Sequence, residues 1–235
     1  MIKDCKIKAP FFEIGPKSYL YGDDVIELAK AADAASAKYN VDVIFTTPVV
    51  EIARVKAATK RIHVFAPHMD PLRPGRGLAD ILPESLVAAG AEGVMLNHCE
   101  KPLSLSVLKR TIERAKEVGL STIVCADSCA EASMIAQLRP DIIVAEPTEL
   151  VGTGVSCGPE YVKAASRAVK DIDPDILVLT AAGISNGDDV FNIILAGADA
   201  TGSSSGVAKA ADRAGMVDEM IGAVRRAWDE RHSRA

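Results

Sequence analysis

No apolar run in this chain exceeds about eight residues, too few to span a bilayer as a helix. Basic residues hold no excess either. The formal net charge is −5, which argues against nucleic acid as the main ligand and leaves room only for a local basic patch on a small anion. The cysteines form no framework: there are five (Cys5, Cys99, Cys125, Cys129 and Cys157), an odd number with no repeated spacing. Such a set points to reduced thiols and a cytoplasmic setting. Cys125 and Cys129 stand four apart, but no second ligand pair with zinc spacing accompanies them, so no metal is expected. The opening MIKDCKIKAPFF has no signal-peptide core followed by a cleavage site. Linkers, low-complexity tracts and composition shifts are also missing. The expectation is one domain over residues 1–235.

What remains is an ordinary globular composition, 49% hydrophobic and 25% charged, which excludes disorder. A chain of 235 residues buries roughly 70–75% of its unfolded surface and needs no covalent staple. Along it, short Val- and Ile-rich runs alternate with amphipathic stretches. The runs at 11–15, 41–47, 63–66, 93–97, 122–126, 142–146, 176–181 and, weakly, 199–204 read as strands. Most are apolar on both faces, as strands covered by helices must be. The stretches at 24–38, 49–58, 83–89, 103–118, 129–138, 159–170, 187–195 and 213–226 read as helices, several bounded by Pro at the start or Gly at the end. Eight strand–helix units of about thirty residues each predict an α/β fold, a single-domain (β/α)8 barrel. An open doubly wound sheet would want a glycine-rich phosphate loop after its first strand, and Gly15-Pro16-Lys17 is not that pattern.

In such a barrel, chemistry gathers where strands end. Strand one runs into Glu13-Ile14-Gly15-Pro16-Lys17, strand four into Asn97-His98-Cys99-Glu100, and strand six into "AEPTELVGTG" at 145–154. Strand seven runs into "AAGIS" at 181–185 and strand eight into "GSSSGVAK" at 202–209. A lysine, a histidine, two carboxylates and three small-residue loops therefore surround one mouth. Loop N–H groups and helix starts suit a phosphate, leaving acid and base groups for the other end of a small phosphorylated molecule. Glu146 stands out because it leaves the buried run Ile142-Ile143-Val144 for a glycine-rich loop. His63 and His68 read as structural, Cys99 as inert, and the Lys/Glu face of 103–118 as solvated helix.

These motifs resemble the triosephosphate isomerase family along nearly the whole chain, especially its shorter, archaeal-type members. "AEPTELVGTG" is similar to the family's catalytic glutamate and lid. "LNHCEK" is similar to its histidine–serine–glutamate motif, with Cys99 in the serine position. "AAGISNGDDV" and "SSSGVAKA" resemble its two phosphate loops. The resemblance implies a TIM barrel and an aldose–ketose isomerase working through an enediol, without a cofactor. It implies Glu146 as base, His98 as a neutral acid, Lys17 as the positive charge and Glu100 as its partner. Backbone donors at Gly152, Gly183, Ser204 and Ser205 would hold the phosphate, and residues 147–154 would form a lid. It also implies a homo-oligomer, dimer or tetramer, joined through residues 68–77. Membranes and nucleic acid are not expected partners.

One position departs from the family. An asparagine is expected two residues before the lysine, and Gly15 stands there, followed by Pro16. Glycine in the substrate site removes a donor and a side chain's volume. Either Ser18, Glu13 or water fills the gap, or the substrate is larger. The default substrates are glyceraldehyde 3-phosphate and dihydroxyacetone phosphate, and a four-carbon ketose phosphate such as erythrulose phosphate is the rival. A non-catalytic sugar-phosphate binder is a third possibility, which a retained base disfavours. A Schiff-base lyase would need a lysine at the end of strand five or six, where Asp127 and Glu146 stand.

Overall fold

The computed structural model describes residues 7–233. Cys5 lies outside the described residues. Eight strands appear: β1 (Phe11–Ile14), β2 (Asp42–Thr46), β3 (His63–Ala66), β4 (Gly93–Leu96), β5 (Ser121–Ala126), β6 (Ile142–Ala145), β7 (Leu177–Thr180) and β8 (Ala200–Ser203). All neighbours are parallel, and β8 returns to β1, closing a barrel in sequence order. Between them run α1 (Asp23–Tyr39), α2 (Ile52–Ala58), α3 (Pro83–Ala89), α4 (Leu105–Val118), α5 (Cys129–Ala136), α6 (Pro159–Lys170) and α7 (Gly187–Leu195). A short α8 (Ser205–Ala208) and a long α9 (Arg213–Ser233) follow β8. The architecture is the expected single-domain (β/α)8 TIM barrel.

Side chains sort by the period of two that a strand imposes. Phe11, Ile44, Phe65, Ile123, Ile142, Val144 and Leu179 pack together as one cluster inside the barrel. Their neighbours Phe12, Val43, Val64, Val124, Ile143 and Val178 belong to the layer between barrel and helices. Glu13 follows Phe11 by two, so it points inward, where its residue surface is only 7% exposed.

Element ends differ from expectation for local reasons. Helix α4 starts at Leu105, two residues late, because Ser104 turns extended and its Oγ accepts the Val107 N–H. The stretch at 49–58 opens with a 3-10 turn, Val49–Glu51, before α2. A second 3-10 turn, Thr148–Leu150, and helix α8 add to the expected elements; each is a single turn, too short to show periodicity in sequence. Helix α9 runs past 226 to Ser233 and packs on α1 and α7. On the helix face at 103–118, Lys109 and Glu113 are solvated as expected. Arg114 is an exception: it is buried, pairs with Glu84 and Glu117, and donates from Nε to the Leu72 carbonyl.

Candidate active site

The strand C-terminal ends enclose a cavity of about 540 Å³. Lys17, His98, Glu100, Glu146, Gly15, Gly152, Gly183, Ser204 and Ser205, all named from the sequence, line it. His68, read as structural, lines it too; its Nε2 lies 3.4 Å from Asp70, and its buried Nδ1 has no partner.

The backbone is bent hard at this rim. Lys17, Asn97 and Ala182 hold φ values of 47°, 58° and 81°, a region that non-glycine residues adopt at a cost of about 1–3 kcal/mol each. At position 17 the bend brings Nζ to 3.1 Å from Glu100 Oε1. Asn97 acts as a brace rather than a reactive group. Its Nδ2 donates to the Cys125 carbonyl and to Glu131, and its Oδ1 accepts the Leu103 N–H. Three attachments from one side chain hold the turn that presents His98.

The protonation of His98 follows from geometry. The Glu100 backbone N–H donates to His98 Nδ1 at 3.1 Å. A backbone N–H has only a proton to give, so Nδ1 is the lone-pair nitrogen and a neutral ring carries its hydrogen on Nε2. That Nε2 lies 3.8 Å from Glu146 Oε1. Burial holds the histidine below its ordinary pKa, Lys17 adds to the effect, and Glu100 opposes it. The dipole of α4 has little part in this, because the helix begins seven residues later, at Leu105. Burial raises the Glu146 carboxyl above its usual range; Lys17 pulls it down and Glu100 pushes it up. A neutral N–H donor and a carboxylate of raised basicity thus face each other across the cavity. Cys99 is exposed at 3.7 Å from His98 Nδ1, and desolvation first, then Glu146, pushes its thiol up, which keeps it protonated.

The small-residue loops interlock. Gly183 sits at φ 69°, and a Cβ there would lie 1.9 Å from the Val155 carbonyl oxygen. The chain after the 147–154 segment therefore rests directly on the strand-seven loop. Asp189, in the first turn of α7, ties both together: its Oδ2 accepts from Ser185 N–H and hydroxyl, its Oδ1 from the Ser156 hydroxyl. Ser203 Oγ donates to the Ile184 carbonyl, joining the strand-eight loop to the same unit. Gly152 and Gly154 hold left-handed φ values of 77° and 76° with open space around them.

Gly15 is not a hole. A Cβ built there would meet Glu13 Oε1 at 3.2 Å and Ser204 Oγ at 3.3 Å. Of the fillers expected for this position, Glu13 is the one present, and Ser204 joins it. Asp189 and Thr46, which faces the Glu13 carboxyl, carried no signal in the sequence, and Asn97 stood out only as part of the polar end of strand four. Glu13 was legible as a charge inside the apolar strand Phe11–Ile14.

Among the described residues, no group of three or more His, Cys, Asp or Glu side chains is arranged to hold a metal ion. No helix there is long and apolar enough to cross a membrane. Cys99, Cys125, Cys129 and Cys157 are free thiols.

A family model described as triosephosphate isomerase matches residues 16–220. The triosephosphate isomerase of Sulfolobus acidocaldarius is 34% identical over 229 residues, covering 96% of this chain and 99% of that protein. The triosephosphate isomerase of Methanocaldococcus jannaschii is 36% identical over 203 residues, covering 85% and 92%. That of Saccharolobus solfataricus is 34% identical over 225 residues, covering 94% and 99%.

Proposed function

This chain belongs to the triosephosphate isomerase family of aldose–ketose isomerases, and we propose that it interconverts glyceraldehyde 3-phosphate and dihydroxyacetone phosphate through an enediol. The observation that carries the assignment of roles is the pairing of His98 and Glu146, with the neutral imidazole's N–H 3.8 Å from a carboxylate across one cavity. Glu146 takes a proton from the carbon beside the carbonyl and returns it to the neighbouring carbon. His98 Nε2–H donates to the carbonyl oxygen as negative charge grows on it. Lys17, held by Glu100, balances the charge of the enediolate and of the phosphate. The backbone at Gly152, Gly183, Ser204 and Ser205 receives the phosphate, and residues 147–154 close over it to exclude water. The four-carbon reading loses its main support, because the volume beside Gly15 is taken by Glu13 and Ser204. No observation favours the non-catalytic binder.

Self-association through residues 68–77 belongs to the same proposal. The free thiols and the family suit the cytoplasm and carbohydrate metabolism.

Replacing Glu146 by Asp tests the base. The shorter arm withdraws the carboxylate by about one bond, and proton transfer depends steeply on that distance. A coupled assay in both directions should show kcat down about 10²-fold or more with KM within a fewfold. Near wild-type kcat in this variant would overturn the assignment.

A further inference from the structure

Glu13 is a buried carboxyl group in a strand whose other residues are all apolar. Its residue surface is 7% exposed, its Oε1 is buried without a hydrogen-bond partner, and it lines the cavity. The Thr46 hydroxyl faces the carboxyl, yet its Oγ1 and Glu13 Oε1 are both without a hydrogen bond of normal geometry; leaving a buried polar atom unpaired costs roughly 1–3 kcal/mol, a cost that a partner arriving from the cavity would remove. The surroundings make space for it. A Cβ at Gly15 would meet both carboxyl oxygens, at 3.2 and 3.8 Å, and a Cβ at Gly202 would lie 3.1 Å from Oε2. Two glycines, one just past the end of β1 and one in the neighbouring β8, therefore flank one carboxyl group at the floor of the site. An inward aliphatic residue at position 13 would pack there at no polar cost.

We propose that Glu13 is a substrate-contacting residue that hydrogen-bonds a reacting oxygen, the work for which position 15, being glycine, has no side chain. The inference rests on the enediol reading of the site. In its neutral form the Glu13 O–H donates to the oxygen on which the enediolate charge develops, and no proton changes hands. The acid form is available because burial raises the carboxyl to about 7; Thr46 and Lys17 work against this and Glu146 works with it. The titratable groups around it are Lys17 from the loop after β1, Glu146 after β6 and the Cys125 thiol of β5. The swap is concerted. A side chain at position 15 and the carboxyl at 13 would compete for one volume, so the pair Glu13 and Gly15 acts as a unit.

The test compares Glu13→Gln, Glu13→Val and the double variant Glu13→Val/Gly15→Asn. Each is measured for kcat, for the pH profile of kcat/KM, and for affinity toward a phosphorylated hydroxamate that mimics the enediolate. Glu13→Val should lose about 10²-fold in kcat and in hydroxamate affinity, the usual effect of deleting one donor at developing charge. Glu13→Gln keeps an N–H donor without the titration. Wild type should show kcat/KM declining as pH rises through about 7, and Glu13→Gln should retain kcat within about tenfold and lose that decline. Adding Gly15→Asn to Glu13→Val should restore activity by tenfold or more, because the donor returns into vacated space. Wild-type kcat and affinity in Glu13→Val, or an unchanged pH limb in Glu13→Gln, would overturn the proposal. The glutamine variant decides alone if the valine variant does not fold. Absence of wild-type turnover would sink the isomerase reading and this inference together, whereas turnover indifferent to Glu13 would sink this inference alone.

Discussion

A carboxyl buried beside its own strand backbone carries a stability signature separate from any role in turnover. Glu13 in the folded chain titrates at about 7, raised from 4.5 mainly by burial. Between those values the folded state binds the proton that the unfolded state releases. The contribution is therefore fully present below about pH 4.5 and is lost as pH rises through about 7. The shift corresponds to about 3 kcal/mol. In urea titrations, Glu13→Gln should gain stability relative to wild type progressively from pH 5 to pH 8, by about 2–3 kcal/mol. A constant difference between the two across that range would mean that Glu13 is ionised in the folded protein throughout. At the same scale His98 shows how much a single backbone hydrogen bond can decide. The Glu100 N–H fixes the tautomer, and no property of the histidine's sequence neighbours would have told which nitrogen faces Glu146.

Among the elements, the three small-residue loops behave as one clamp. Their glycines were legible from sequence as candidate phosphate donors, but their mutual contact was not. Gly183 combines a left-handed φ of 69° with a backbone neighbour 1.9 Å from where a Cβ would sit, so alanine there meets both a conformational and a steric penalty. Carbonyl and chain cannot share that space, and the segment at 155–156 must lift away. Gly183→Ala should raise KM for the sugar phosphate at least about tenfold and speed proteolytic cleavage within 147–156, because the lid loses its seat. Unchanged KM and cleavage rate would show that the lid does not rest on residue 183. Asp189 holds the other side of the clamp through Ser156 and Ser185. In the sequence it is one of two aspartates after an asparagine cap, where acidic residues are ordinary. Nothing distinguished it before the folded chain brought Ser156 beside it.

For the molecule as a whole, the feature that looks outward is the connection between β3 and α3. Its base is tied down: Asp70 exchanges hydrogen bonds with Ile81, Arg114 holds the Leu72 carbonyl, and Arg73 pairs with Glu117. Its tip is exposed from Arg73 to Asp80, with Leu78 fully in solvent, and Tyr21 and Val50 are also largely bare. A stiff projection bearing an apolar side chain suits a partner's surface. Light scattering at micromolar concentration should find a dimer or tetramer, and deleting residues 72–78 should yield a monomer with reduced activity. A wild-type monomer with full activity would refute assembly through this loop.

The sequence by itself determined the barrel and the location of its working end. Apolar runs at a repeating distance, each with helical periodicity behind it, leave few ways to bury both faces of eight strands, and the strand ends then fall where the reactive residues stand. It also put Lys17, His98, Glu100 and Glu146 on three loop segments around one rim, because each follows its strand at a short spacing. Only the tertiary structure decided what depends on distance between strands far apart in sequence. It set which nitrogen of His98 faces Glu146, the contact of the 155–156 backbone with Gly183, and the occupant of the volume beside Gly15. That last point chose between the readings the glycine left open, since Gly15 faces the carboxyl of Glu13, two residues before it, and the hydroxyl of Ser204, from the opposite end of the chain. Sequence spacing fixes the face a side chain takes; the closure of the barrel fixes what it meets there.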